Sequence, residues 1–316
     1  MAKRKAGRRT RREPGARLGR AVRPAAEWAA ALARGEEMAR QVLARRRRRT
    51  AARVAARGAA PGSAGLLVAE GDSWFDYPFF DVLEELEEGF GYAIESVAHK
   101  GDTVEEMVYD PNQLDKLARK LRKLKEDDEA PKAILLSGGG NDIAGEEFAV
   151  LLNHKSSGLP PLSEPVVSGL VDGRLRVAVI ELAAAVTHLC RETFGSTLPI
   201  LVHGYDYPVP DGRGYLGGFW VLPGPWLEPG FRRKGYDDLR ERSDVMVTLI
   251  DRFNAVLAGV AGGPGLAHLR HVDLRRTLSN KLPGAAYKKS WGDELHPTEQ
   301  GFRAVADRFD RVLRTL

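Results

Sequence analysis

"GLLVAEGDSWFDYP" occupies Gly65 to Pro78. An apolar run leads in, and Gly71, Asp72, Ser73 and Trp74 halt it. A short apolar run that stops at turn formers reads as a buried strand. Its ending has two readings. The polar residues either turn the chain, or they hold Ser73 up at the rim of a sheet. Any partners for that serine must come from other segments.

Four further runs of this kind follow: "AIESVAH" (93–99), "PKAILLSGGG" (131–140), "LPILVHGYDYP" (198–208) and "LAHLRHVDL" (266–274). Helical patterns separate them. "DVLEELEEGF" (81–90) sets Val82, Leu83, Leu86 and Phe90 at helical spacing. "PNQLDKLARKLRKLKED" (111–127) opens on a proline and lines up Leu114, Leu117, Leu121 and Leu124. "RLRVAVIELAAAVTHLCRETFG" (174–195) closes on Gly195, and apolar stripes mark 243–260 and 302–316. Alternating strands and helices predict an α/β fold: three layers, with a five-stranded parallel sheet covered on both faces. Crossovers should be right-handed, and in such sheets the functional crevice lies at the carboxyl ends of the strands.

Composition narrows the classes. The chain has 316 residues and one cysteine, so it has no intrachain disulfide and no cysteine-based zinc site. Cys190 sits in an apolar run and reads as a small core residue. No stretch is long and apolar enough to span a membrane, and the N-terminus lacks the apolar centre of a signal peptide. The expectation is a cytoplasmic protein.

The net charge of +5 conceals an asymmetry, because residues 1–60 carry 19 Lys and Arg against 4 Asp and Glu. The high pI belongs to that segment and not to the acidic remainder. Residues 1–60 read as a basic Arg/Ala-rich arm, disordered or loosely helical. It could touch a polyanion or nucleic acid non-specifically by neutralising phosphates. Only Trp28 in it could stack on a base. Residues 61–65 read as a linker and 66–316 as one domain, with insertions at about 144–173 and 205–236. The second insertion carries Tyr205, Tyr207, Tyr215, Phe219, Trp220, Trp226 and Phe231. It reads as a loop packed on the body, a pocket wall, or both.

Each strand run ends in small or polar residues: "GDSW", "HKGDT", "SGGGNDI" and "HGYDYP" after the first four, and "WGDELHP" beyond the last. Acyl transfer gives these residues work. A serine hydroxyl needs an adjacent base, a histidine serves, and a carboxylate fixes its tautomer. Asp293 and His296 stand three apart, so one turn lets the carboxylate reach one imidazole nitrogen and leaves the other for Ser73. An oxyanion needs donors. The backbone N–H groups of Ser73 and Gly101 and the side-chain amide of Asn141 could supply them. Glycine at 101 would keep a Cβ out of the substrate's way.

"GDSW", the isolated Gly101, "GGND" (139–142) and "DELHP" (293–297) fall in the order and strand positions of the SGNH hydrolases, also called the GDSL esterase/lipase family, which this chain resembles over about 65–316. The resemblance implies a flavodoxin-like α/β/α fold and hydrolysis of a small-molecule ester, with no metal or organic cofactor. It implies Ser73 as nucleophile and oxyanion donor, Gly101 and Asn141 completing the oxyanion hole, His296 as base then acid, and Asp293 as its orienter. Trp74 departs from the family's usual leucine, and His99-Lys100 replaces an asparagine before the glycine. Phe75 excludes the G-x-S-x-G elbow of other α/β hydrolases. The alternative is a hydrolase-like body without turnover, tethered to a polyanion by the arm.

His203 and Asp206 are a rival pair with the same spacing, but they lack the chain order and the following helix of "DELHP". His203 therefore reads as a pocket wall or a satisfied structural histidine. Asp72 and Asp142 read as acceptors for loop N–H groups, and His99 as an exposed loop residue. Trp74 either props the nucleophile from beneath or narrows its pocket.

Overall fold

The computed structural model describes residues 64–78, 80–215 and 223–316. The basic arm, linker residues 61–63, and the part of the aromatic insertion holding Phe219 and Trp220 lie outside the described residues.

The strands are β1 Leu66–Gly71, β2 Ala93–Ser96, β3 Ala133–Ser137, β4 Ile200–His203 and β5 Leu269–Val272. They form one parallel sheet in the order β2-β1-β3-β4-β5. Leu67, Val68, Ala69, Ile134 and Leu135 are wholly buried. Burial on both faces explains why these strands read as continuous apolar runs and not as alternating ones. The order is that of the flavodoxin-like sheets. The chain grows outward from β1 in both directions, so a crevice opens above the ends of β1 and β3.

The helices follow from local signals. α1 (Val82–Phe90) starts at Asp81, whose side chain accepts from Glu84 N–H, and stops at left-handed Gly91. α2 (Val104–Tyr109) opens with a capping box of Thr103 and Glu106. α3 (Pro111–Glu126) has proline in its first turn and buries Leu117, Leu121 and Leu124. α4 (Glu164–Val167) runs through wider π turns at Ser168–Leu175 into α5 (Arg176–Phe194). α6 is Glu228–Arg233, α7 Leu239–Val260 and α8 Glu299–Leu313. α1 packs on α8, while α3 and α7 pack on α5. These two groups cover the sheet and complete the three layers.

Two details differ from the sequence expectation. The long helix begins at Glu164 and not near Arg174, because the π turns carry it past Gly169 and Gly173. The first insertion is therefore largely helical turns and not free loop. α2 and α6 are six residues each, too short to display a period. Cys190 is fully buried, and burial pushes its thiol up to about 11. Among the described residues no helix is long and apolar enough to cross a membrane.

Candidate active site

β1 ends with two backbone ties: Asp72 N–H donates to Ser137 O at 3.1 Å, and His99 N–H donates to Gly71 O at 2.8 Å. A Cβ at Gly71 would stand 2.7 Å from Ser137 Cβ and 2.8 Å from Ser137 O. Only glycine lets β1 and β3 approach so closely here. The Phe75 N–H then donates to Asp72 O at 3.0 Å, closing a turn that carries Ser73 into the crevice.

Ser73 Oγ lies 2.8 Å from His296 Nε2. His296 Nδ1 lies 3.0 Å from both carboxylate oxygens of Asp293. Asp293 Oδ1 also accepts the backbone N–H groups of Leu295 and His296, each at 2.8 Å. The loop closes on itself as Gly292 N–H donates to His296 O at 2.8 Å. Thr298 then caps α8, accepting Gly301 N–H at 3.1 Å. Burial disfavours the charged form of Asp293. Hydrogen bonds from the His296 ring and these amides outweigh that and hold its carboxyl below the usual range.

Tyr77 adds a support that the sequence reading missed. Its hydroxyl donates to Asp293 Oδ2 at 3.0 Å, and its ring stacks on His296 with centroids 4.3 Å apart. Trp226 meets the same imidazole edge-on at 5.4 Å. The only signal for Tyr77 was an aromatic residue four positions after the serine.

Gly101 and Asn141 both line the space around Ser73 and His296. Gly101 has φ +93°, which L side chains rarely adopt. A Cβ there would meet nothing within 4 Å. The backbone conformation by itself requires glycine at this position on the cleft wall. Asn141 donates one amide hydrogen to Asp102 O at 3.0 Å, which fastens it beside the Gly101 loop. Asp142 Oδ2 accepts Val104 N–H at 3.0 Å, tying the same two loops. Among the described residues, the backbone N–H groups of Ser73 and Gly101 donate to no protein acceptor.

A second histidine–serine contact lies below. His203 Nε2 is 2.8 Å from Ser137 Oγ, and Ser137 Oγ donates to Asp72 Oδ1 at 2.7 Å. The Tyr205 hydroxyl donates to Asp72 Oδ2 and accepts Gly140 N–H at 3.1 Å. Asp72 also accepts Trp74 N–H at 3.0 Å. Burial pushes His203 down to about 3, so it stays neutral. Asp206 does not reach it, since that carboxylate accepts the N–H groups of Tyr207, Arg276 and Leu278 at 2.7, 2.9 and 2.6 Å. Trp74 is both a prop and a wall of the recess beside Ser73. It stacks on His203 at 5.3 Å, and its indole N–H donates to Leu295 O at 3.0 Å, linking the serine turn to the His296 loop.

Glu294 is the other residue that sequence reasoning missed. It is wholly buried and accepts four backbone N–H groups: Gly212 at 3.0 Å, Trp226 and Leu227 at 2.7 Å, and Glu228 at 3.0 Å. Burial pushes its carboxyl up to about 7 against the pull of those amides. One side chain thus fixes the aromatic insertion to the loop bearing Asp293 and His296. An acid between Asp293 and Leu295 in a loop gives no sequence sign of this.

Two spaces meet at Ser73 and His296. An open cleft of about 440 Å³ has walls of Tyr77, Lys100, Gly101, Tyr215, Pro223 and Trp226. A recess of about 40 Å³ runs between Ile143, Ala144, Leu227, Met246, Ile250 and Trp291. Among the described residues no group of three His, Cys, Asp or Glu side chains converges as a metal site would.

No protein-family model matches the chain. No curated protein matches it either. Among solved structures it is similar to an alpha/beta hydrolase enzyme from the metagenome of Lake Arreo, Spain, at 13% identity over 80% of this chain and 96% of that one, with a TM-score of 0.45. It is also similar to a catalytic mutant of an acetylxylan esterase from Geobacillus stearothermophilus, at 16% identity over 80% of this chain and 95% of that one, with a TM-score of 0.41.

Proposed function

We propose that this chain is a serine hydrolase of the SGNH kind that cleaves a carboxylic ester through an acyl-enzyme on Ser73. The observation that carries the reading is the continuous contact from Ser73 Oγ to His296 Nε2 at 2.8 Å and from His296 Nδ1 to Asp293 at 3.0 Å, open to a cleft. Ser73 Oγ bonds to the ester carbonyl carbon as its proton passes to His296 Nε2. The negative charge that develops on the carbonyl oxygen is met by the N–H groups of Ser73 and Gly101 and the second amide hydrogen of Asn141. The carbon–alkoxide bond breaks, and His296 returns the proton to the departing alcohol. Water then repeats the sequence in reverse and releases the carboxylic acid. Asp293 keeps the Nδ1 proton in place and stabilises the imidazolium, with Tyr77 steadying both groups.

Replacing Ser73 by alanine should abolish turnover of p-nitrophenyl acetate and labelling by a fluorophosphonate while leaving the circular dichroism spectrum intact. Undiminished hydrolysis by that variant would refute the proposal.

A further inference from the structure

The two spaces that meet at Ser73 and His296 are unequal in size. Resting on the acyl-enzyme reading, we infer that the narrow apolar recess takes the acyl group and limits it to about two to four carbons, while a larger alcohol occupies the aromatic cleft. The assignment of arms comes from His296. Its imidazole must reach the leaving oxygen, then admit water to the same place. The rings against that imidazole, Tyr77 at 4.3 Å and Trp226 at 5.4 Å, are walls of the cleft and not of the recess. The alcohol therefore departs, and water arrives, along the cleft. The acyl group, still bonded to Ser73, points the other way.

Size and chemistry of the recess set the limit. Its volume is about 40 Å³. A space of that size seats only a few heavy atoms beyond the carbonyl carbon. Ile143, Leu227, Met246, Ile250 and Trp291 are buried and belong to the hydrophobic core, so the walls cannot retreat cheaply. They offer a short hydrocarbon an apolar seat. The cleft, about ten times larger, presents Tyr77, Tyr215 and Trp226. Flat aromatic faces suit an alcohol with a ring or other broad apolar face.

The test is a chain-length series of p-nitrophenyl acetate, butyrate and octanoate with the full-length protein. Acetate and butyrate should be turned over, and octanoate should fall at least about 50-fold in kcat/KM, because the extra methylenes have no space to enter. Met246→Ala, which lengthens the recess, should raise the octanoate-to-acetate ratio about tenfold. Should that variant fail to fold, Ala144→Leu, which fills the recess, should depress butyrate more than acetate. Octanoate turned over as well as acetate by the wild-type protein would overturn this inference and leave the hydrolase reading standing. No turnover of any ester, with Ser73 unreactive towards a fluorophosphonate, would remove both.

Discussion

Ser73–His296 and Ser137–His203 are serine–histidine contacts of identical length, 2.8 Å, one above the sheet and one within it. In the upper contact, Asp293 bonds the imidazole of His296, which leaves Nε2 to face the Ser73 hydroxyl. In the lower contact the carboxylate bonds the serine. Asp72 accepts the proton of Ser137, so that hydroxyl is committed as a donor and His203 can only donate to it. The upper pair borders a cleft, whereas Ser137 and His203 have no exposed surface. Distance and residue type are therefore insufficient to define a nucleophile. On the proposed reading, the position of the carboxylate and access to solvent separate the reactive pair from the structural one.

The largest test of this contrast is Asp293→Asn. An amide at that position favours the wrong imidazole tautomer, and kcat should fall about 10⁴-fold with little change in KM. Its pH behaviour can be read as well. The folded-state carboxyl of Asp293 is held below its ordinary value. Its contribution to stability is therefore present above the unfolded-state pKa and disappears as pH falls through the folded-state one. Acid unfolding monitored by fluorescence should consequently begin at higher pH in Asp293→Asn than in the wild type.

A smaller effect is expected at Glu294. Replacing it with alanine strands four backbone N–H groups and frees Trp226 from its place against His296. Misplacing the wall and the base together should lower kcat/KM about 10²-fold. The loss should exceed that of a merely structural variant of equal Tm. Equal losses would reduce Glu294 to a scaffold residue.

The smallest effect on chemistry is expected at Ser137→Ala. Turnover should remain within about tenfold of the wild type, because Ser137 never meets substrate. Stability should fall by about 1–3 kcal/mol, since the buried groups of Asp72 and His203 each lose a partner. A collapse of activity without loss of stability would show that the lower pair participates in the reaction.

Much of this contrast was legible in the sequence. Asp293 and His296 could be paired because three-residue spacing and a helix start at Thr298 define a local geometry. β1, β3 and β4 could be found because burial on both faces makes them nearly continuously apolar. The partners of Asp72 could not be found, because Ser137 and Tyr205 reach it from β3 and from beyond β4. Tyr205 does so from a left-handed backbone position, φ +63°, that no tyrosine advertises. Glu294 was illegible for the same reason, as its four donors come from residues 212 and 226–228. Contacts within one turn leave a pattern in sequence. Contacts across the fold leave none in a single chain.

The most direct measurement is to quench the full-length protein in mid-turnover with p-nitrophenyl acetate and map the acylated peptide by mass spectrometry. Acetyl should be found on Ser73, absent from Ser137, and gone in Ser73→Ala. Turnover with acetyl on any other residue, or hydrolysis persisting in Ser73→Ala, would contradict the account.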